Sequence, residues 1–147
     1  MKPLVVEMQA FGPFAGRQVI DFSQLGHKTF FLIHGPTGAG KTSILDAMCF
    51  ALFGDSSGGE RQGHQMRSHH ADPATLTELR FDFALGDQRY RVMRIPEQTR
   101  PSRRGGGETV QAQRAELHRL EGRRRCRAAT GHRLAQGDRG GGSVAGL

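Results

Sequence analysis

The stretch Phe30–Gly54 reads FFLIHGPTGAGKTSILDAMCFALFG. Its first four residues, Phe30, Phe31, Leu32 and Ile33, are apolar on both faces of an extended chain. That pattern predicts a strand from Thr29 to Ile33 buried on both sides, as in the parallel part of an α/β sheet. His34-Gly35 ends it. From Lys41 to Phe53 the only polar residues after Thr42 are Ser43 and Asp46. A helix apolar nearly all round packs between layers, and Gly54 suits its C-terminal cap.

Between strand and helix lies GPTGAGKT, Gly35–Thr42, which fits G-x-x-x-x-G-K-[ST]. Following a buried strand and opening an apolar helix, it is a phosphate-binding loop in its proper context. Gly35 allows the exit from the strand. Pro36 stiffens the loop but has no N–H to offer. Thr37 and Ala39 complete the binding loop, in which Gly38 and Gly40 let the backbone close around a phosphate. The N–H groups from Gly38 to Ser43 would converge on that phosphate, helped by roughly half a positive charge at the helix N-terminus. Lys41 supplies a point charge, and the Thr42 hydroxyl is the expected Mg²⁺ ligand. The cofactors this implies are ATP and Mg²⁺.

Hydrolysis needs more: an acid on a second strand for the metal and a group that positions water. No acid in residues 55–147 follows the required aliphatic run. Asp46, four residues after Thr42, shares its helix face, which suits a partner of the metal's water, but favourable placement near the helix start is the preferred reading. No catalytic residue is assigned.

Working outward, Leu4, Val6, Met8 and Ala10 alternate with polar residues and predict a half-buried strand. Phe11-Gly12-Pro13 breaks it, and Gln18–Phe22 returns antiparallel. Residues 55–75 are polar and glycine-rich, a loop. Leu79, Phe81, Phe83 and Leu85 alternate, Gly86-Asp87 makes a two-residue turn, and Gln88–Ile95 returns with Tyr90 and Val92 inward. The domain plan is therefore a P-loop lobe over 1–95, a flexible Pro/Arg/Gly linker over 96–109 and one added strand within 110–122. A basic tail over 123–147 has no structural period and too few large apolar residues to order itself.

Residues 1–95 carry a net charge of +1 and residues 96–147 of +6, together the formal +7 of the 147-residue chain. The basicity thus belongs to the C-terminal third, not to the lobe. Its arginines make a non-catalytic nucleic-acid binder the rival reading, although the tail has no aromatic residue for base stacking. The two cysteines, Cys49 and Cys126, are too dissimilar in setting for a disulfide, which favours a reduced, cytoplasmic location. No apolar span approaches the roughly 18 residues of a membrane helix. His64, His69, His70 and Asp72 match no familiar metal spacing. Arg61 and Arg67 read as solvated loop residues before phosphate or DNA contacts.

The helix TSILDAMCFALFG, the loop GDSSGGERQGHQMRSHHAD, the opening KPLVVEMQAFGPFAGRQVIDF and the hairpin LRFDFALGDQRYRVMRIPE together resemble the N-terminal part of the SbcC family. These are SMC-related ATPase subunits of SbcCD-type nucleases. The likeness covers residues 1 to about 122. It implies an α/β P-loop NTPase of the ABC/SMC head type, present as its N-terminal lobe only, with a mixed sheet, antiparallel N-terminal strands and a buried P-loop helix. It further implies ATP-driven processing of DNA ends, as in double-strand break repair, with an SbcD-type nuclease subunit and a second ATPase head as partners, and no membrane. Gly35–Thr42 carries over residue by residue. The acid of the second strand, the signature motif, the Q-loop glutamine, the coiled coil and the CxxC hook have no counterpart. The abrupt shift at Arg123 fits a truncated product read out of frame. Another ABC-class ATPase, such as a transporter subunit, is the nearest alternative.

Overall fold

The computed structural model describes residues 1–26, 28, 30–58, 63–102 and 105–120. The tail over 123–147, Arg61 and the His64 side chain lie outside the described residues. Strands β1 (Lys2–Phe11), β2 (Phe14–Asp21), β3 (Glu78–Leu85), β4 (Gln88–Ile95) and β7 (Arg114–Leu120) form one sheet in the order β2-β1-β3-β4-β7. Every pairing in it is antiparallel. Period-two alternation decides which face is apolar. Val6 lies opposite Phe81 and Met8 opposite Leu79, while Phe81 lies opposite Val92 and Phe83 opposite Tyr90. The rings of Phe81, Phe83 and Tyr90 stack along this face, with centroids 5.4 and 5.6 Å apart. The β3–β4 turn is Gly86-Asp87 as the sequence indicates, with Gly86 at φ +55°.

Helix α1 (Lys41–Phe53) lies across that face. It buries Ala47, Phe50 and Ala51. The two alanines, one turn apart, let the helix backbone approach the sheet, and the Phe50 ring packs 6.3 Å from that of Phe11. Burying a phenylalanine to this degree contributes about 1.5–3 kcal/mol. The helix ends at Gly54, whose N–H donates to Phe50 O over 2.8 Å. Arg94 of β4 closes the same end. Its Nε donates to Ala51 O at 3.1 Å and its Nη2 to Leu52 O at 3.3 Å. The guanidinium also lies 5.8 Å from the Phe50 ring centroid. Burial lowers the pKa of this guanidinium from its ordinary value. A cation on the last carbonyls is the favourable sign for a helix C-terminus.

The predicted strand over Thr29–Ile33 and the helix buried between layers are not observed. Residues 30–33 form no strand, and Phe30 and Leu32 are 91% and 83% exposed. Helix α1 is buried on one face alone, with Leu45 and Phe53 exposed. The described sheets are wholly antiparallel rather than mixed. A strand apolar on both faces needs a neighbour on each edge and a layer on each side. The described residues supply neither. The stretch read as a Pro/Arg/Gly linker carries a hairpin of β5 (Gln98–Pro101) and β6 (Glu108–Gln111).

The sheet face away from α1 is ionic. Glu7 pairs with Arg17 and Arg80, and Asp82 with Arg80 at 3.1 Å and Arg91 at 2.8 Å. Glu116 pairs with Arg114 and, at 3.2 Å, with His118. Glu7–Arg80 and Asp82–Arg91 are direct cross-strand partners, whereas Arg80–Asp82 and the Glu116 pairs join residues two apart on one face of a strand. Asp82 is 5% exposed. Burial works to raise its carboxyl, but hydrogen bonds and charge from Arg91 and Arg80 outweigh that and hold it below its ordinary value. A depressed folded-state pKa contributes stability above the unfolded-state value of about 3.9 and loses it as pH falls through the folded-state value. Asp82→Asn therefore lowers the urea midpoint at pH 7, and the gap from the unsubstituted chain narrows below about pH 4. Urea titrations at several pH values check this, and a gap independent of pH would contradict it.

Candidate functional site

The loop Gly35–Gly40 enters α1 through backbone that only glycine adopts readily. Gly38 and Gly40 have φ of +84° and +81°. Ala39 N donates to Pro36 O at 3.3 Å. Lys41 folds back over the loop, with Nζ donating to Gly35 O at 2.9 Å and to Pro36 O at 2.7 Å. An ammonium has three N–H groups, so this posture leaves one for an anion. Gly40 is the N-cap, no side chain caps the helix, and its first turn holds no acid. The first amides of α1 are thus open to an acceptor, and the positive end of the helix dipole stands uncompensated. Thr42 is exposed and Ser43 half-buried at this end.

A second segment reaches the loop. A Cβ built on Gly40 would lie 2.5 Å from Cζ of Phe14 and 3.1 Å from Cγ of Pro13, and one on Gly12 2.9 Å from Oγ of Ser43. The β1–β2 turn therefore rests directly on the P-loop and the start of α1. The sequence FGPF signalled only a strand break. A Gly-Pro pair flanked by phenylalanines ten residues from the N-terminus was the available clue.

Asp46 has a different task from either expectation. Its carboxylate, in a residue 6% exposed, accepts from Ser57 N at 3.1 Å and from Ser57 Oγ. It fastens the turn that follows the helix. Asp82, the acid on a central strand, is engaged by arginines on the face away from α1. Cys49 is a half-buried free thiol on the helix.

The loop after α1 is built around Arg67. Its Nη1 donates to Thr75 O at 2.6 Å, Thr77 Oγ1 at 3.3 Å and Gln98 Oε1 at 3.2 Å, and its Nη2 to Asp72 O at 2.8 Å. Gln98 in turn accepts from Thr77 N at 2.7 Å and donates to Thr77 O at 3.0 Å. His69 and His70 are exposed. Among the described residues no three His, Cys, Asp or Glu side chains cluster to hold a metal. Also among them, no helix is long and apolar enough to cross a membrane.

Residues 6–126 match the family described as AAA domain. The chain belongs to the AAA domain family. It is 52% identical over 121 residues to the SbcC protein of the SbcCD nuclease from Vibrio cholerae, a match covering 82% of this chain and 12% of that protein. To the SbcC proteins of Lactococcus lactis and Staphylococcus aureus it is 44% and 45% identical, over 80% and 64% of this chain and 11% and 9% of theirs. The matches thus span about a tenth of the length of these relatives. The resemblance read from the helix, loop and hairpin motifs is thereby upheld for the first 120 or so residues.

Because Arg67 ties its own loop to Gln98, Arg67→Met removes a donor from Thr75 O, Thr77 Oγ1 and Gln98 Oε1, at a cost of roughly 1–3 kcal/mol. Thermal unfolding measures the loss, with faster amide exchange expected over residues 67–77. An unchanged melting point would mean that the guanidinium serves a bound anion instead.

Proposed function

We propose that this chain provides the phosphate-gripping part of an ATP–Mg²⁺ site in an SbcC-type, ABC/SMC-like ATPase head. The observation that carries the reading is the uncapped, acid-free start of α1, with Lys41 folded over a loop of left-handed glycines. In this reading Gly38, Ala39, Gly40, Lys41, Thr42 and Ser43 offer backbone N–H groups to the phosphates. Gly35, Pro36 and Thr37 shape the loop, and Lys41 holds the outer phosphates. The residues fit Mg²⁺ as well, because the exposed Thr42 hydroxyl stands at the helix start, where one protein oxygen joins phosphate and water ligands. Bound there, the ion would neutralise charge on the phosphates.

Residues 1–95 form the lobe in this scheme. Hydrolysis would draw its metal acid and water-positioning group from other parts of a longer protein or from a second head. The exposed Phe30, Leu32, Leu45 and Phe53 favour this, since they belong to the segment that carries the P-loop and invite an apolar cover. The names of the relatives support an SbcD-type nuclease subunit as partner, and DNA ends as the substrate of the assembled complex follow from that reading. A cytoplasmic location suits it.

Titration calorimetry with Mg²⁺–ATP on the 147-residue chain should find weak, saturable binding and no phosphate release above buffer. Lys41→Ala should weaken that binding at least about tenfold, or ~1.4 kcal/mol. Undiminished binding in Lys41→Ala would refute the phosphate grip. Robust turnover lost in Lys41→Ala would refute the incomplete site.

A further inference from the structure

We propose that the β1–β2 turn Gly12-Pro13-Phe14 is the brace that holds the P-loop in its binding shape, with Phe14 as the positioning residue. The inference deepens the phosphate-site reading and, for its ligand measurements, rests on it.

The turn and the loop meet at two points, and each point has a glycine on one side. At Gly40 the Phe14 ring and Pro13 occupy the space a side chain would take, with Phe14 Cε2 3.0 Å from the built Cβ. At Gly12 the opposite holds, and Ser43 of the helix occupies the space. Two such approaches fix the turn against the loop in both position and tilt. A proline ring fixes its own φ, so Pro13 presents a stiff surface.

The turn is itself anchored from behind. Gly12 N donates to Met66 O at 2.8 Å, and Ser68 N donates to Ala10 O at 2.9 Å. Phe11 and Arg67 form a backbone bridge, and the Phe11 ring, 1% exposed, packs on Phe50. The brace is thus continuous with the core.

The loop has little of its own to keep it rigid. Within it the backbone contributes Ala39 N to Pro36 O, and Lys41 adds its two carbonyl contacts. Fixing a residue's backbone costs conformational entropy. A loop that must order itself on binding loses affinity by that amount, and a loop held in shape beforehand does not. Phe14 provides the holding contact at Gly40, the residue from which the helix amides begin.

The test compares the unsubstituted 147-residue chain with Phe14→Ala and Phe14→Leu. Amide hydrogen exchange without ligand is read over residues 35–43 and over the β3–β4 hairpin. Calorimetry is run with ATP and with inorganic tripolyphosphate, both with Mg²⁺. Phe14→Ala should speed exchange over residues 35–43 by about tenfold and leave the hairpin unchanged, as local opening does. It should weaken ATP and tripolyphosphate by the same factor, about three- to tenfold, the scale of a lost kilocalorie. Phe14→Leu, which keeps an apolar contact, should recover most of both effects. Unchanged exchange over residues 35–43 would overturn the brace. So would weakening of ATP alone, which would make the ring a contact for the base. If Phe14→Ala unfolds the hairpin as well, Phe14→Leu decides: residual faster exchange confined to residues 35–43 supports the brace, and no residual change there overturns it. If Lys41→Ala binds both ligands normally, the phosphate-site reading has failed, and the exchange data alone judge the brace.

Discussion

The structure around the phosphate loop depends on how helix α1 is held against the antiparallel sheet. A 13-residue helix is marginal on its own in water, and this one starts without a side-chain cap. Its stability comes from tertiary packing. Phe50 is wedged between Phe11 and the guanidinium of Arg94, and Ala47 and Ala51 set the depth of approach. The C-terminal end is closed by donors from β4 and by Gly54. The N-terminal end touches the β1–β2 turn and keeps its amides open. The helix is fastened where its carbonyls need donors and left free where an anion would supply the acceptor.

That arrangement puts unusual demands on β1. Ala10 is the non-glycine residue with positive φ among the described residues, at +49°. It sits at the register shift between Gln9 and Phe11. The left-handed region costs an L-residue about 1–2 kcal/mol. What the distortion gains is a carbonyl turned toward two donors, Ser68 N and Thr77 Oγ1, the latter at 3.0 Å. Through Thr77 the same point reaches Gln98, and through Gln98 it reaches Arg67. The loop after the helix, the start of β5 and the end of β1 are one hydrogen-bonded unit, and the turn that bears on the P-loop projects from it.

Much of this was legible in the sequence. The alternation in β1, β3 and β4, the Gly86-Asp87 turn and the extent of α1 follow from a period of two, from the apolar run after Thr42 and from glycine placement. The failures share a physical cause. Four apolar residues in a row mark a strand only where sheet neighbours and covering layers exist, and the described residues offer Phe30–Ile33 neither. Arg94 lies on the apolar face of β4 because the end of a helix needs donors there, a demand that no pattern within β4 displays. The hairpin β5–β6 escaped notice because Pro, Arg and Gly dominate its sequence, while its register rests on backbone pairing and on the side chain of Gln98. In the candidate site the motif Gly35–Thr42 was plain. The turn at Phe14 was not, because its importance lies in a contact 26 residues further along the chain.

The distribution of unmet surface bears on how such a lobe would work. On the face of the sheet away from α1, carboxylates and guanidinium groups meet across neighbouring strands, and that face is satisfied in water. Among the exposed large apolar residues, Met1, Val19, Leu85 and Val110 are scattered, and five others are not. Phe30, Phe31, Leu32, Leu45 and Phe53 all belong to the continuous segment that carries the P-loop. Covering them removes apolar area from water at about 25 cal/mol per Å², and a partner that covers Phe30 and Leu32 lies close along the chain to the phosphate loop. Under the proposed reading, assembly and completion of the active site are then the same event. The piece that hides Phe30 and Leu32 is positioned to bring the metal acid that the lobe lacks. In the same reading Lys41, which rests on the carbonyls of Gly35 and Pro36, would exchange those contacts for a triphosphate.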